Sequence, residues 1–114
     1  MQKARSAHAR VDEYYRSLGY NCPPQCREVT IAVGNKRRRV DIADNRPEAL
    51  HGIEVKSYET GKVYATEDIR NEVGLDKYLV EQGWKMEWVF KGCEPSTPLK
   101  QLLEEANIKI RIID

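Results

Sequence analysis

The chain is 114 residues long, with 40% hydrophobic and 32% charged residues and a formal net charge of +1. These values describe one soluble domain with a core of its own, too short for two, and total charge alone does not announce a nucleic-acid binder. No apolar run approaches the ~20 residues of a membrane span, and no signal peptide is read at the start.

In chain order, Lys3–Leu18 reads as a helix. Ala4, Ala7, Val11, Tyr14 and Leu18 form its narrow apolar stripe, and Gly19 is placed to end it. Tyr20–Arg27 is a loop. Its Cys22 and Cys26, with Cys93, are an odd set that cannot complete a zinc tetrahedron, so they are read as structural or incidental. Glu28–Val33 is a first strand, turned at Gly34-Asn35 into a second that carries the basic run Lys36-Arg37-Arg38-Arg39 and then Asp41. Asn45-Arg46-Pro47 breaks that strand, and Gly52–Lys56 is the third of an antiparallel meander. After a loop over Ser57–Ala65, Thr66 caps a second helix with Glu67 and Asp68 in its first turn. It runs to about Gln82 and stops at Gly83. Trp84–Lys91 is a strand whose Trp84, Met86, Trp88 and Phe90 share a core face, and Gly92–Pro95 is a turn. Thr97 and Pro98 open a third helix carrying Leu99, Leu102, Leu103 and Ala106, with Asn107 at its end; Ile108, Ile110 and Ile112 form the last strand. The order αβββαβαβ predicts an α/β fold, a mixed central sheet flanked by helices, with residues 1–114 as one domain.

Val40–Lys56 carries the candidate chemistry. Strand alternation predicts Val40 and Ile42 on one face with Asp41 on the other, and Glu54 and Lys56 together on the outer face of the next strand. Pairing these strands would gather two carboxylates and an ammonium. Carboxylate oxygens suit a hard divalent cation, and a lysine beside them can orient or help deprotonate a water. The same residues also suit a cross-strand salt bridge on a solvated sheet face. The second helix adds an anomaly: Ile69, Val73, Leu79 and Val80 define its apolar arc, yet Glu72 and Asp76 fall inside it. Unpaired buried charge is costly. This face is therefore expected to border something polar, either the Glu54/Lys56 patch or paired arginines. Arg37 and Arg39, on the strand bearing Asp41, are the candidates for phosphate contact.

With this element order and the pattern Asp41…Glu54-Val55-Lys56, the chain resembles the PD-(D/E)XK nuclease superfamily, of restriction-endonuclease-like fold. The resemblance implies that Asp41, Glu54 and the Val55 carbonyl hold Mg²⁺ or Mn²⁺, that Lys56 positions the attacking water, and that hydrolysis leaves a 5′-phosphate. The family's usual proline before the first acid is replaced by Val40. Archaeal Holliday-junction resolvases carry a metal-site glutamate on the first helix. Counted back from Gly19, that position is His8, with Glu13 displaced, so His8 joins Glu72 and Asp76 as a candidate neighbour of the metal ligands. The stretch from Glu54 to Phe90, with Gly83-Trp84 and Glu87-Trp88-Val89-Phe90, is similar to restriction-endonuclease-fold C-terminal domains of bacterial polymorphic toxins. That similarity implies a domain of a larger secreted protein, acting in the cytoplasm of a rival cell and neutralised by a cognate immunity protein. The expectation is a Mg²⁺-dependent nuclease acting on DNA, or on tRNA. A housekeeping junction or repair nuclease and a catalytically inactive nucleic-acid-binding relative stand as alternatives.

Overall fold

A computed structural model describes Arg16 and residues 26–113. The first expected helix, with His8 and Cys22, lies outside the described residues apart from Arg16. The elements are β1 (Arg27–Val33), β2 (Lys36–Asp44), β3 (His51–Lys56), β4 (Lys62–Val63), α1 (Glu67–Glu81), β5 (Lys85–Lys91), β6 (Glu94–Pro95), α2 (Thr97–Glu105) and β7 (Lys109–Ile113). Five strands form one mixed sheet in the order β1-β2-β3-β5-β7, antiparallel from β1 to β3 and parallel from β3 to β7.

Chain connectivity explains where the helices lie. Parallel neighbours need a crossover, and such crossovers are right-handed. α1 links β3 to β5 and α2 links β5 to β7, both stepping the same way across the sheet, so both cover the same face. Ile69, Val73 and Leu79 of α1 and Leu99 and Leu103 of α2 pack there with Met86, Trp88 and Phe90 of β5. Ile42, Ile53 and Val89 form a separate buried cluster on the other face.

The helix boundaries follow from local chemistry. Thr66 accepts the Ile69 N–H at 3.3 Å, and Ser96 accepts the Leu99 N–H at 3.4 Å, each satisfying a donor that the first helical turn leaves open. Gly83 and Asn107 adopt positive φ, 102° and 58°, just past the two C-termini. Trp84 N–H then bonds the Leu79 carbonyl and Ile108 N–H the Leu103 carbonyl, at 3.0 and 2.9 Å, folding β5 and β7 back under their helices. Among the described residues no helix is long and apolar enough to cross a membrane.

Three features differ from the sequence reading. The short β4 and β6 pair in parallel, Lys62 with Glu94 and Val63 with Pro95, where a loop and a turn were expected; strands of two residues carry no periodicity to read. Val40 and Ile42 do not share a face: Val40 packs in the helix-side cluster and Ile42 in the opposite one. Glu28, with φ of 51°, faces Asp41 between the pairs Arg27↔Ile42 and Val29↔Val40, and the alternation of β2 changes phase there. Finally, Glu54 and Lys56 are not on a solvated outer face. Each is 7% exposed, lying on the helix side across from Trp88 and Phe90.

Candidate functional site

The phase change in β2 is what makes the site. The β2–β3 ladder ends at Ile42↔Ile53. Beyond it, Asp41 Oδ2 accepts the Val55 N–H at 2.8 Å, so a side chain takes the donor that the next ladder bond would have used. This fixes the Asp41 carboxylate at the mouth between the strands, close enough to Glu54 for its charge to disfavour ionisation there.

Glu54 and Lys56 then meet two residues of α1 and one of β2. Lys56 Nζ lies 3.1 Å from Glu54 Oε2 and 2.7 Å from Glu72 Oε1, and 5.1 Å from the centre of the Trp88 ring. Arg38 enters from β2, 5% exposed. Its Nε and Nη2 bond the two Asp76 oxygens at 2.8 and 3.1 Å, while Nη2 also lies 3.3 Å from Glu54 Oε1 and 3.8 Å from Glu72 Oε1. Trp88 Nε1–H donates to Asp76 Oδ2 at 2.8 Å. Asp76 is therefore fully buried yet satisfied at both oxygens, and the charges inside the apolar arc of α1 are the anchors of this cluster.

The electrostatics are uneven. Among the described residues, the cluster gathers four carboxylates (Asp41, Glu54, Glu72 and Asp76) and two cations, Arg38 and Lys56. Glu54 bears the consequence: burial above all, opposed by Arg38 and reinforced by Asp41, pushes its carboxyl up to about 7. Its Oε1 is buried without a hydrogen bond, since Arg38 stands within ion-pair distance but not in line. Burial alone would lower Lys56, but Glu54 and Glu72 more than offset it, and the ammonium is held above its ordinary value. Arg38 is likewise raised against the pull of burial by its carboxylate partners.

These residues fit a hard divalent cation. A buried Glu54 oxygen without a hydrogen bond and a carboxyl driven towards its neutral form are both relieved by such an ion. Among the described residues no three His, Cys, Asp or Glu side chains gather closely enough to hold a metal alone. Two carboxylates, a backbone carbonyl and waters suit Mg²⁺ or Mn²⁺, which keep much of their hydration.

Arg38 is the residue that sequence reasoning missed. Strand alternation turns Arg37 and Arg39 to the other face from Arg38. Both are exposed, and Arg39 pairs with Glu28, so neither enters the cluster. The signal was present in Asp76: a carboxylate at a core position of α1 calls for a buried cation, and Arg38 shares the phase of buried Val40. Cys26 and Cys93 are free thiols, and Cys93 Sγ donates to the Lys56 carbonyl at 3.3 Å, tying the β5–β6 turn to the end of β3.

The chain has an α/β restriction-endonuclease-like fold, with the cluster where the antiparallel meander meets the parallel half of the sheet. No family model and no curated protein matches it. Among solved structures it is similar to SfsA of Pyrococcus furiosus in complex with Ca²⁺. The TM-score is 0.51 and the identity 20%, over 75% of this chain and 45% of that one. This chain thus spans less than half of that protein's length, and the likeness is one of fold.

Proposed function

We propose that this domain is a metal-dependent nuclease that hydrolyses phosphodiester bonds in nucleic acid, DNA before tRNA. The observation that carries the reading is the cluster in which Asp41, Glu54 and Lys56 lie together, with Glu54 buried and one of its oxygens left without a hydrogen bond. That the fold neighbour SfsA is in complex with Ca²⁺ supports a hard cation on such a scaffold. Asp41, Glu54 and the Val55 carbonyl would hold Mg²⁺ or Mn²⁺, which when bound polarises the phosphoryl group and lowers the pKa of a water. Lys56, kept as an ammonium, is a donor rather than a base. With Glu54 and Glu72 each accepting from it, one further N–H remains to orient the attacking water or to stabilise charge on the phosphoryl oxygens. Arg37 and Arg39, exposed on the far side of β2, are suited to phosphates away from the reacting one.

The similarity of Glu54–Phe90 to polymorphic-toxin domains extends the proposal. In that setting the domain acts in the cytoplasm of a rival bacterium and is neutralised by an immunity protein. Incubating the purified protein with plasmid and with tRNA, with and without Mg²⁺, tests the enzymatic reading. Mg²⁺-dependent cleavage that is absent in Glu54→Gln is expected; equal cleavage by Glu54→Gln would contradict it. Expression in bacteria that is lethal for the parent and harmless for Glu54→Gln is the outcome expected of a toxin.

A further inference from the structure

We infer that the cleft between the β1–β2 hairpin and α1 is the bed for an unpaired nucleotide beside the reacting phosphate, with Lys36 and Arg70 on its phosphates and Tyr78 against its base. The inference rests on the nuclease reading above and deepens it, by making a single strand the substrate at this place. The cleft is a cavity of about 540 Å³, lined by Lys36 from the hairpin and by Arg70, Asn71, Gly74, Leu75 and Tyr78 from α1. That volume suits a ligand of nucleotide size rather than a duplex. Lys36 and Arg38 lie two apart on β2 and so share a face, and Arg38 is bonded into the Glu54 cluster. On α1, Asn71 and Leu75 stand on either side of Glu72, which accepts from Lys56. The cleft therefore runs from the hairpin towards the proposed reacting centre.

The chemistry of the walls points to a nucleotide. Lys36 and Arg70 are exposed, one on each side of the cleft, where they can hold the phosphates of one strand. Tyr78 is 40% exposed, and with apolar Val33 and Leu75 beside it gives a base a surface to stack on. Gly74 is an independent sign. It stands in the middle of α1, where alanine would hold the helix better, and a Cβ built there would meet nothing within 4 Å. Packing among the described residues does not call for a glycine at this position, whereas a ligand lying on α1 gains room from bare backbone.

Fluorescence anisotropy on the purified full chain tests this, with short labelled single strands of DNA and RNA and a DNA duplex of the same sequence, in EDTA so that nothing is cut. The parent should bind a single strand about tenfold more tightly than the duplex. Tighter binding of either the deoxy or the ribo strand supports the inference; a duplex bound as tightly as both would overturn it. Gly74→Leu fills the cleft without changing its charge and should weaken single-strand binding about tenfold, while Gly74→Ala should raise the melting temperature and bind within about twofold of the parent. Both substitutions favour the helix, so weaker binding by Gly74→Leu is not unfolding, and parental binding by that variant would overturn the inference. Tyr78→Ala should also weaken binding about tenfold. Lys36→Gln and Arg70→Gln should each lower the slope of log affinity against log salt by about 0.7, whereas Lys100→Gln, an exposed cation lost on α2, should leave it unchanged. Unaltered slopes in both cleft variants would overturn the phosphate contacts. Single-strand binding that Gly74→Leu weakens, in a protein that leaves plasmid and tRNA uncut with Mg²⁺, would fail the nuclease reading and keep this one; Mg²⁺-dependent cleavage with parental binding by Gly74→Leu would do the reverse.

Discussion

Asp44 and Glu54 lie on neighbouring strands, with side chains only 3% and 9% exposed, yet their carboxyls are driven in opposite directions. Asp44, in the phase of β2 that follows Ile42, is enclosed by its own loop. Arg46 gives it two guanidinium bonds of 2.8 and 2.6 Å and a backbone N–H at 3.2 Å, and these hold its carboxyl below the usual range. Glu54, on the helix side, shares two cations with two other acids and is pushed up to about 7. The difference teaches how to tell structural charge from functional charge. A buried carboxylate balanced by its own neighbours has nothing to gain from a further ion, while one pushed towards its neutral form is where we place the proposed cation.

The largest effect should come from the anchor of the Glu54 cluster. Asp76→Ala leaves Arg38 buried without its partner, and urea unfolding should register a loss of about 3–5 kcal/mol. Glu54→Gln should do the reverse of Asp76→Ala: the fold survives with no less than parental stability at pH 7 and above, while Mg²⁺-dependent cleavage falls by about a hundredfold or more. A Glu54→Gln protein as unstable as Asp76→Ala would break the comparison, because it would make Glu54 structural. Lys56→Ala should still bind Mn²⁺ but cleave about tenfold to a hundredfold more slowly, a loss seen in kcat rather than in KM. Asp44→Ala should cost only about 1 kcal/mol, since Arg46 is more than half exposed and its pairing is screened by solvent, and it should leave cleavage at the parental rate.

The smallest and sharpest contrast is with pH. Glu54 is raised above its unfolded value of 4.5, so it contributes stability that is present below about pH 4.5 and lost as pH rises through about 7. Asp44 is depressed, so its contribution is present above its unfolded value of 3.8 and lost as pH falls through its lower folded value. His51, lowered chiefly by burial and then by Lys85 and Lys109, contributes stability above 6.5 that is lost as pH falls through its folded value, which makes a bare pH profile ambiguous. The difference between parent and Glu54→Gln removes that ambiguity. Thermal unfolding between pH 5 and 8 should show the parent losing stability relative to Glu54→Gln as pH rises; a constant difference would mean that Glu54 is not strained by its charge.

What the sequence allowed to be read follows the same divide. Gly83 and Asn107 mark helix ends because left-handed backbone favours few residues, and Thr66 marks a start because a hydroxyl can meet an open N–H. The meander was legible from turn residues and alternation, and the spacing of Asp41, Glu54 and Lys56 was legible as a motif. The environment of those residues was not. Alternation assumes an unbroken ladder, and the left-handed Glu28 opposite Asp41 changes its phase, sending Val40 and Ile42 to different faces. Within the basic run, four consecutive cations look alike as text. Only the buried Asp76 and Trp88, brought in by α1 and β5, select Arg38 from among them.

The most direct test of the central claim is where a cation goes when one is offered. Crystals of the domain soaked in Mn²⁺ should show anomalous density between Asp41 and Glu54, beside the Val55 carbonyl, with Asp44 and Arg46 unchanged. Saturating Mn²⁺ that leaves the Asp41–Glu54 site without density, or that settles at Asp44 instead, would contradict the account.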